Sequence, residues 1–493
     1  MKRLFLGGLG LLFFGIIGCA VGPDYTGPPQ ANIQKSWTEA NTSDKTFILQ
    51  ENEKIRNWWV VFNDPLLNQL IETADAQNLD LKIAIAKVSQ ARAQLAAYWG
   101  DVAPQINAQG VVLWGDASAG STISGATSAF VWEIDLFGRV RRQIEAAKAS
   151  FEASQEDRVA VMVSIYAEVA QSYITIRSFQ AQIDALEKNI HSQKQLLHVI
   201  NSRFQNGLAT ALDVASAERL LSTLEAQLPP LLAQKRQTEN MLAVLLGGTP
   251  EEWLKTLNAF APIPIAPDSV MIDAPVNMLR QRPDIRRAER TLAAEVAAIG
   301  VVKADLFPSF YINGTFNLGA ADAATLFQTP ISSYSYGPSL RWNIFQGGKT
   351  LNLIKAQDAK AMQALYMYEK TVLTAMKEVE SALTGYLQAK NQFKADTQAL
   401  EAANRSYLLS IDLYESGLAD LQRVLENQKE LCNIIGQYTK SRGTVAINLV
   451  ALYRALGGGW DPKNPPQIPE KISEREIKDA LSSTSNSKQE LRK

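Results

Sequence analysis

Histidine and cysteine are scarce in this chain, whose 493 residues contain two of each. His191 and His198 lie seven residues apart with no cysteine or third histidine nearby, so we expect no metal site. No Ser-His-Asp arrangement or phosphate-binding loop can be assembled either, and we predict no catalytic residue, no cofactor and no enzymatic activity. With 49 Lys and Arg against 50 Asp and Glu, the chain also lacks the basic surface that nucleic-acid binding requires.

The apolar run at the N-terminus, Leu4 to Ile17, is shorter than the roughly 20 residues of a membrane-spanning helix. It follows two positive charges and precedes "IIGC", which predicts an export signal at residues 1–18. This segment resembles the lipobox of bacterial lipoproteins, which implies lipidation of Cys19. Because Ala20 rather than aspartate comes next, inner-membrane retention is not implied. An ordinary signal with a chance cysteine is the alternative.

The second cysteine, Cys432, has no partner in the mature chain other than the lipidated one. We therefore expect no structural disulfide. Free cysteines are commonly buried and behave as small apolar residues, so Cys432 is predicted to be a small packed residue.

The chain repeats itself. The segment "QNLDLKIAI" (77–85) matches "QRPDIRRAE" (281–289) at an offset of 204 residues. The turn "FQNGLATALDV" (204–214) returns as "YESGLADLQRV" (414–424) at an offset of 210. A period this long is not that of a solenoid, and it predicts two similar halves, each with the order helix, strand, strand, long helix, turn, helix.

Each half contains two segments of about ten residues in which apolar and polar side chains alternate, as in transmembrane β-strands. A soluble sandwich with one wet face would show the same alternation. The four apolar faces are Ile106, Ala108, Gly110, Val112 and Trp114; Phe130, Trp132, Ile134 and Leu136; Phe310, Ile312, Gly314, Phe316 and Leu318; and Tyr334, Tyr336, Leu340, Trp342 and Ile344.

Two long stretches are almost free of glycine and proline. The 68 residues between Gly138 and Gly207 contain neither, and the 68 between Gly348 and Gly417 contain only one glycine. Each stretch predicts a helix of about 100 Å, at 1.5 Å per residue, which must pack lengthwise against similar helices. The glycines at 207 and 417 are expected to end these helices, and return helices are predicted over 211–246 and 421–456. Pro229-Pro230 should kink or break the first one.

Four strands cannot close a transmembrane barrel, because about eight is the smallest number known and open edges are costly in lipid. The barrel must therefore be shared between chains. Three copies would give twelve strands and two copies would give eight, and the argument from the strands alone leaves both open.

The chain resembles the outer-membrane factors, the TolC-like exit ducts of tripartite efflux pumps, in their lipidated branch. The residues that carry the resemblance are "CAVGPDY" (19–25), "WWVVFNDPLLNQLI" (58–71), "RPDIRRAE" (282–289) and "ALGGGW" (455–460). The resemblance implies a mixed α and β membrane protein: a homotrimer whose 12-stranded transmembrane β-barrel, with four strands per chain, continues into a long periplasmic α-helical barrel.

The predicted organisation of the chain follows from the repeat and the resemblance. Residues 1–18 are the signal, 19–65 the lipidated and equatorial N-terminal part, and 66–250 the first repeat. Residues 251–280 form an equatorial linker, 281–457 the second repeat, and 458–493 a C-terminal equatorial segment with a disordered tail.

Four residues near the turns are candidates for a periplasmic gate, because the family closes its resting channel there with acidic rings and side-chain links. Asp213 and Tyr414 match a family aspartate and tyrosine, and Glu426 lies where members carry an acidic ring. Arg423 departs from the aspartate of the best-known member, and we predict that it pairs with Asp213 and holds the tip shut. Alternatively, these charges are solvated or complement the helix ends.

The predicted function is a passive exit duct in the bacterial outer membrane, lipid-anchored, with a large periplasmic part. Its partners would be a periplasmic adaptor, an inner-membrane transporter and outer-membrane lipids. The alternative is a lipid-anchored trimeric helical stalk with a structural or adhesive role. The exported substrate cannot be deduced, because a wide polar duct does not select chemically.

Overall fold

The described part of the chain consists of long helices joined to a small antiparallel sheet. The computed structural model describes residues 20–28, 33–34, 36–38, 47–49, 56–113, 123–267, 269–272, 275, 281–320, 326, 328 and 330–461. The helices are α1 (Pro65–Gln77), α2 (Leu79–Gly100), α3 (Arg139–Gln205), α4 (Ala211–Glu225), α5 (Leu228–Leu245), α6 (Pro250–Asn258), α7 (Pro283–Ala304), α8 (Lys349–Glu415) and α9 (Leu421–Ala455). The strands are β1 (Phe47–Leu49), β2 (Gln105–Leu113), β3 (Ile123–Ile134), β4 (Val270–Ile272), β5 (Ser309–Ala320) and β6 (Ile331–Arg341).

The predicted duplication is confirmed. In each half a 22-residue helix, α2 or α7, leads into a two-stranded antiparallel hairpin and then into a 67-residue helix, α3 or α8. Both long helices begin after a glycine in the left-handed conformation, Gly138 at φ 79° and Gly348 at φ 81°. The two hairpins join through β3 and β5 into one four-stranded sheet in the order β2-β3-β5-β6.

Two of the predicted strands end too late. The residues assigned to strands that lie outside the sheet are Leu136, Trp342 and Ile344. The amide of Leu136 donates to the carbonyl of Ile134 at 2.8 Å, which bends the chain out of the sheet while the apolar alternation continues. Trp114 lies outside the described residues.

The return helices agree with the prediction, including the break at the double proline. In the second half α9 runs unbroken over 35 residues. In the first half α4 ends at Glu225 and α5 begins at Leu228, with Pro229 and Pro230 in its first turn. Proline is tolerated in the first turn of a helix, where its missing N–H would have no partner, so the chain restarts its helix there.

The long helices pack lengthwise against their neighbours. α9 lies along α8, α5 lies along α3, and α7 contacts both long helices. An 18-residue stretch of α3 is apolar enough to cross a membrane by length and composition, but 67% of it is buried inside the protomer. Its side chains belong to the main apolar core, which includes Tyr173 and Ile174 of α3, Tyr386 of α8 and Leu452 of α9.

A row of ion pairs joins the two halves along α3 and α7. Arg286 of α7 lies 2.6 Å from Glu156 of α3, and Arg290 lies 3.3 Å from Glu152. A third pair connects Arg287 with Asp157. Because Glu156 and its partners are partly shielded from water, this row contributes to the alignment of the two helices more than isolated surface pairs do.

The segments outside the repeats meet around the middle of the long helices. β1 pairs in parallel with β4, which brings the chain before α1 to the chain before α7. Trp58 stacks on Tyr453 of α9 with ring centroids 5.7 Å apart, and Arg56 lies 3.0 Å from Asp461.

Candidate functional site

The sheet separates polar side chains from apolar ones. On its polar face three hydrogen-bonded pairs link β5 to β6: Asn313 Nδ2 to Ser339 Oγ (2.5 Å), Thr315 Oγ1 with Ser335 Oγ (2.8 Å) and Asn317 Nδ2 to Ser333 Oγ (3.4 Å). On the other face Tyr334 lies opposite Phe316, and Tyr336 lies opposite Gly314. Tyr334 and Tyr336 are 77% and 84% exposed in the protomer. An uncovered apolar face behind a polar one is the arrangement of a barrel wall between lipid and water.

The sheet has two open edges. β2 and β6 each pair with one strand only among the described residues, so each presents a row of backbone N–H and C=O groups on its outer side. In hydrocarbon, each unsatisfied backbone group costs several kcal/mol. The protomer's sheet can therefore not stand alone in a membrane, and strands of further copies must pair with both edges.

Two tryptophans attach the sheet to the turns after α2 and α7 in matching ways. The indole Nε1 of Trp132 on β3 donates to the carbonyl of Val102 at 3.0 Å, just after α2. The indole Nε1 of Trp342, just after β6, donates to the carbonyl of Leu306 at 3.0 Å, just after α7. Tryptophans with one polar contact and an apolar body are typical of the membrane–water interface.

Both hairpin tips use the same turn. Gly207 and Gly417 have φ of 70° and 71°. At each tip the amide of the following leucine donates to the carbonyl of the residue five positions earlier, at 2.8 Å in both cases. This bond and the left-handed glycine end the long helix and reverse the chain within four residues. The tip glycines thus fulfil the role predicted for them.

Asp213 and Arg423 occupy equivalent positions with opposite charges. Asp213 closes a capping box: its Oδ2 accepts from the amide and hydroxyl of Thr210, both at 2.8 Å. The exposed Arg423 sits three residues after Asp420, whose side chain accepts its backbone amide at 3.0 Å. Among the described residues of one protomer, the structure does not bring Asp213 and Arg423 together as an ion pair. Asp213 has the helix-end role that the alternative interpretation assigned to it.

The other two candidates also have contacts within the protomer. The guanidinium of Arg203 lies over the half-buried ring of Tyr414, with its central carbon 4.9 Å from the ring centroid. The exposed Glu426 accepts from Gln422 Nε2 at 2.9 Å. The contact between Arg203 and Tyr414 joins the last turns of α3 and α8, and so links one hairpin tip to the other.

Sequence reasoning missed two tip residues, Arg203 and Asp420. Asp420 follows the tip glycine and precedes a helical run, which is the ordinary signal of a helix N-cap. Arg203 carries no comparable local signal, because its contact with Tyr414 depends on how α3 and α8 pack.

The remaining candidates lie apart from the tips and the sheet or outside the described residues. Cys19 is outside the described part of the chain. Cys432 is a half-buried free thiol, and burial raises its pKa to about 11. His191 lies 3.1 Å from Gln195. Within the described residues, no group of three or more His, Cys, Asp or Glu side chains has the spacing of a metal site.

Comparison with known proteins gives one consistent result. The profile of the family described as outer membrane efflux protein matches residues 70–248 and 274–458, well over half of the chain. The chain is 30% identical to the outer membrane protein OprJ of Pseudomonas aeruginosa, over 90% of this chain and 93% of that protein. It is 29% identical to the toluene efflux pump outer membrane protein TtgF of Pseudomonas putida, over 91% and 96%. The chain belongs to the outer membrane efflux protein family.

Solved structures agree. The outer-membrane channel OprN matches with 30% identity and a TM-score of 0.80, over 90% of this chain and all of that one. The CmeC channel of Campylobacter jejuni shares the fold with a TM-score of 0.82 at 23% identity, over 90% and 96%. The predicted fold class, the subunit of a trimeric β-barrel channel continued by an α-helical barrel, is confirmed. The predicted function, an efflux exit duct in the outer membrane, is confirmed as well.

Proposed function

We propose that three copies of this chain form a lipid-anchored duct with a closable periplasmic end, which works with a periplasmic adaptor and an inner-membrane transporter. The observation that carries the proposal is the four-stranded sheet with one polar face, one uncovered apolar face and two open edges. Pairing of β6 of one copy with β2 of the next satisfies both edges, and three copies supply twelve strands.

The proposed gate lies at the hairpin tips and contains Asp213, Tyr414, Arg423 and Glu426. Two features support it. The side chains of Arg423 and Glu426 are exposed in the protomer, one turn apart at the start of α9, and are available to neighbouring copies. Tyr414 already ties its tip to Arg203 of the other hairpin. In a trimer, like charges around the axis repel, and an arginine nearby relieves that repulsion.

The equatorial part is proposed to draw on residues 19–65, which also carry the lipid anchor, on residues 251–280, and on the first part of residues 458–493, whose remainder is the tail. The pairing of β1 with β4 and the ion pair of Arg56 with Asp461 support this grouping, because they join the first segment to each of the other two. The anchor is proposed to be acylated Cys19. Several acyl chains, at roughly 0.8 kcal/mol per buried CH₂, would hold the chain at the membrane.

Ionic current through the purified protein in a planar bilayer tests the gate. We expect a low resting current in the unmodified protein and a higher one in Arg423→Glu and in Glu426→Lys, because each reversal places like charges together at the tip. Lys440→Glu, an exposed change on the same helix farther from the tip, is the matched control and should leave the current unchanged. Unchanged current in both tip variants would remove these residues from the gate.

A further inference from the structure

The mature N-terminal segment is bound to the rest of the protomer from its first described residue. The amide of Val21 donates to the carbonyl of Phe137 at 3.1 Å. Arg142, near the start of α3, donates from Nε to the carbonyl of Val21 at 3.2 Å and from Nη2 to Asp24 Oδ1 at 2.5 Å. The Arg142 side chain is only 5% exposed, whereas the Asp24 side chain is 80% exposed, so the buried guanidinium reaches outward to the segment of chain that lies over it.

Glycines allow this segment to approach the helices more closely than side chains would permit. Gly22 has φ of 100°, and a Cβ there would lie 2.5 Å from the Cα of Gly300 on α7. A Cβ on Gly300 would in turn lie 2.8 Å from the carbonyl oxygen of Val21. At Gly138 a Cβ would lie 2.7 Å from Ala20. The backbone of the segment is therefore in direct contact with both halves of the repeat.

Tyr25 holds the other end of the segment. Its ring packs on Ala149 of α3 and on Ala293 and Ala294 of α7. Its hydroxyl donates to Glu289 Oε1 at 3.3 Å, and the guanidinium of Arg290 lies 5.7 Å from the ring centroid. Residues 20–25 thus cross from α3 to α7, and we call them the strap.

The N-terminal end of the strap lies next to the end of β3, where the sheet meets the long helices. Phe137, which accepts the Val21 amide, stacks on Phe307 with ring centroids 4.6 Å apart. The indole of Trp342 donates to Leu306, which precedes Phe307 in sequence, and Trp132 lies five residues before Phe137. Aromatic rings at the ends of barrel strands mark the level of the membrane interface.

We propose that the strap is a fixed mount for the membrane anchor, with Arg142 as its positioning residue. The strap holds the acylated end of the chain at the lipid surface, at the level of the aromatic rings that lie at the strand ends. The anchor is therefore not on a free tether. Residue 19 is joined to Ala20 by one peptide bond, so an anchored strap confines the acyl chains to this level. The inference rests on the acylation of Cys19 proposed above.

Hydrogen exchange of the Val21 amide in the full-length detergent-solubilised protein tests the strap. We expect exchange at least tenfold slower than in a free peptide, both in the acylated protein and in Cys19→Ser, because the bonds involve residues 20–25 and not the lipid. Arg142→Ala should remove most of this protection. Lys148→Ala, an exposed change two turns along the same helix, should keep it.

Two further measurements keep the test decisive. If Arg142→Ala does not fold, Asp24→Asn replaces it, because the Asp24 side chain is 80% exposed and its loss weakens only the strap; protection should fall several-fold. Mass spectrometry of the N-terminal peptide reports acylation separately. Fast exchange at Val21 in acylated protein would overturn the strap, whereas a peptide without acyl chains would overturn the anchor itself.

Discussion

The guanidinium of Arg203 lies over the ring of Tyr414, 4.9 Å from its centroid, so the two long helices of one protomer are joined four residues before one tip glycine and three before the other. A contact of this kind contributes about 0.5–2 kcal/mol, depending on its exposure. Because it needs the ring and not the hydroxyl, Tyr414→Phe should keep the resting bilayer current low, whereas Tyr414→Ala and Arg203→Ala should raise it. A rise with Tyr414→Phe equal to that with alanine would assign the effect to the hydroxyl instead.

The capping role of Asp213 can be separated from its charge. Asp213→Asn keeps an oxygen that accepts from Thr210, whereas Asp213→Ala removes the acceptor and should cost about 0.5–1.5 kcal/mol of local stability. We expect faster hydrogen exchange at the Thr210 amide, just before α4, for Asp213→Ala only. If the charge also serves the gate, both variants should raise the resting current. Equal exchange in the two variants would contradict the capping account.

The matched tryptophan bonds should stabilise the assembled barrel to a similar degree. Trp132→Phe and Trp342→Phe each remove an indole N–H bond to a backbone carbonyl, at a cost of about 0.5–1.5 kcal/mol. Both variants should lower the temperature at which the oligomer dissociates in detergent, as followed on semi-native gels. Trp99→Phe, at a 59% exposed position, is the control and should have a smaller effect.

Cys432 should react slowly with alkylating reagents in the folded protein. Burial raises its pKa to about 11, so at pH 8 only about 0.1% of the thiol is in the reactive thiolate form. Raising the pH from 8 to 9.5 should accelerate its reaction with iodoacetamide roughly 30-fold, against roughly 4-fold for a cysteine of ordinary pKa. Ala402→Cys in a Cys432→Ala background supplies that exposed comparison. Equal pH dependence at the two sites would contradict the burial of Cys432.

Much of the fold could be predicted because its strongest determinants are local. The near absence of glycine and proline over 68 residues predicted the length of α3 and α8, and the tip glycines predicted where they end. The double proline located the restart of α5. The ends of β3 and β6 were less accessible, since Leu136 and Trp342 continue the apolar alternation after the backbone has left the sheet.

The candidate gate was only partly predictable, because its contacts depend on tertiary packing. The Thr210-to-Asp213 spacing is a capping signal that local reasoning can detect. The cation–π contact between Arg203 and Tyr414 connects residues 211 positions apart, and no local sequence pattern predicts it. The strap was likewise invisible as a contact, although its residues were part of the family resemblance, because Arg142 and Gly300 meet it only in the folded protein.

The mass of the mature protein in detergent, determined by light scattering with the detergent contribution subtracted, tests the central claim most directly. Both edges of the four-stranded sheet need partner strands in a membrane. The account predicts a mass of three protomers. A stable single protomer that stays dissolved after its acyl chains and the detergent are removed would contradict it.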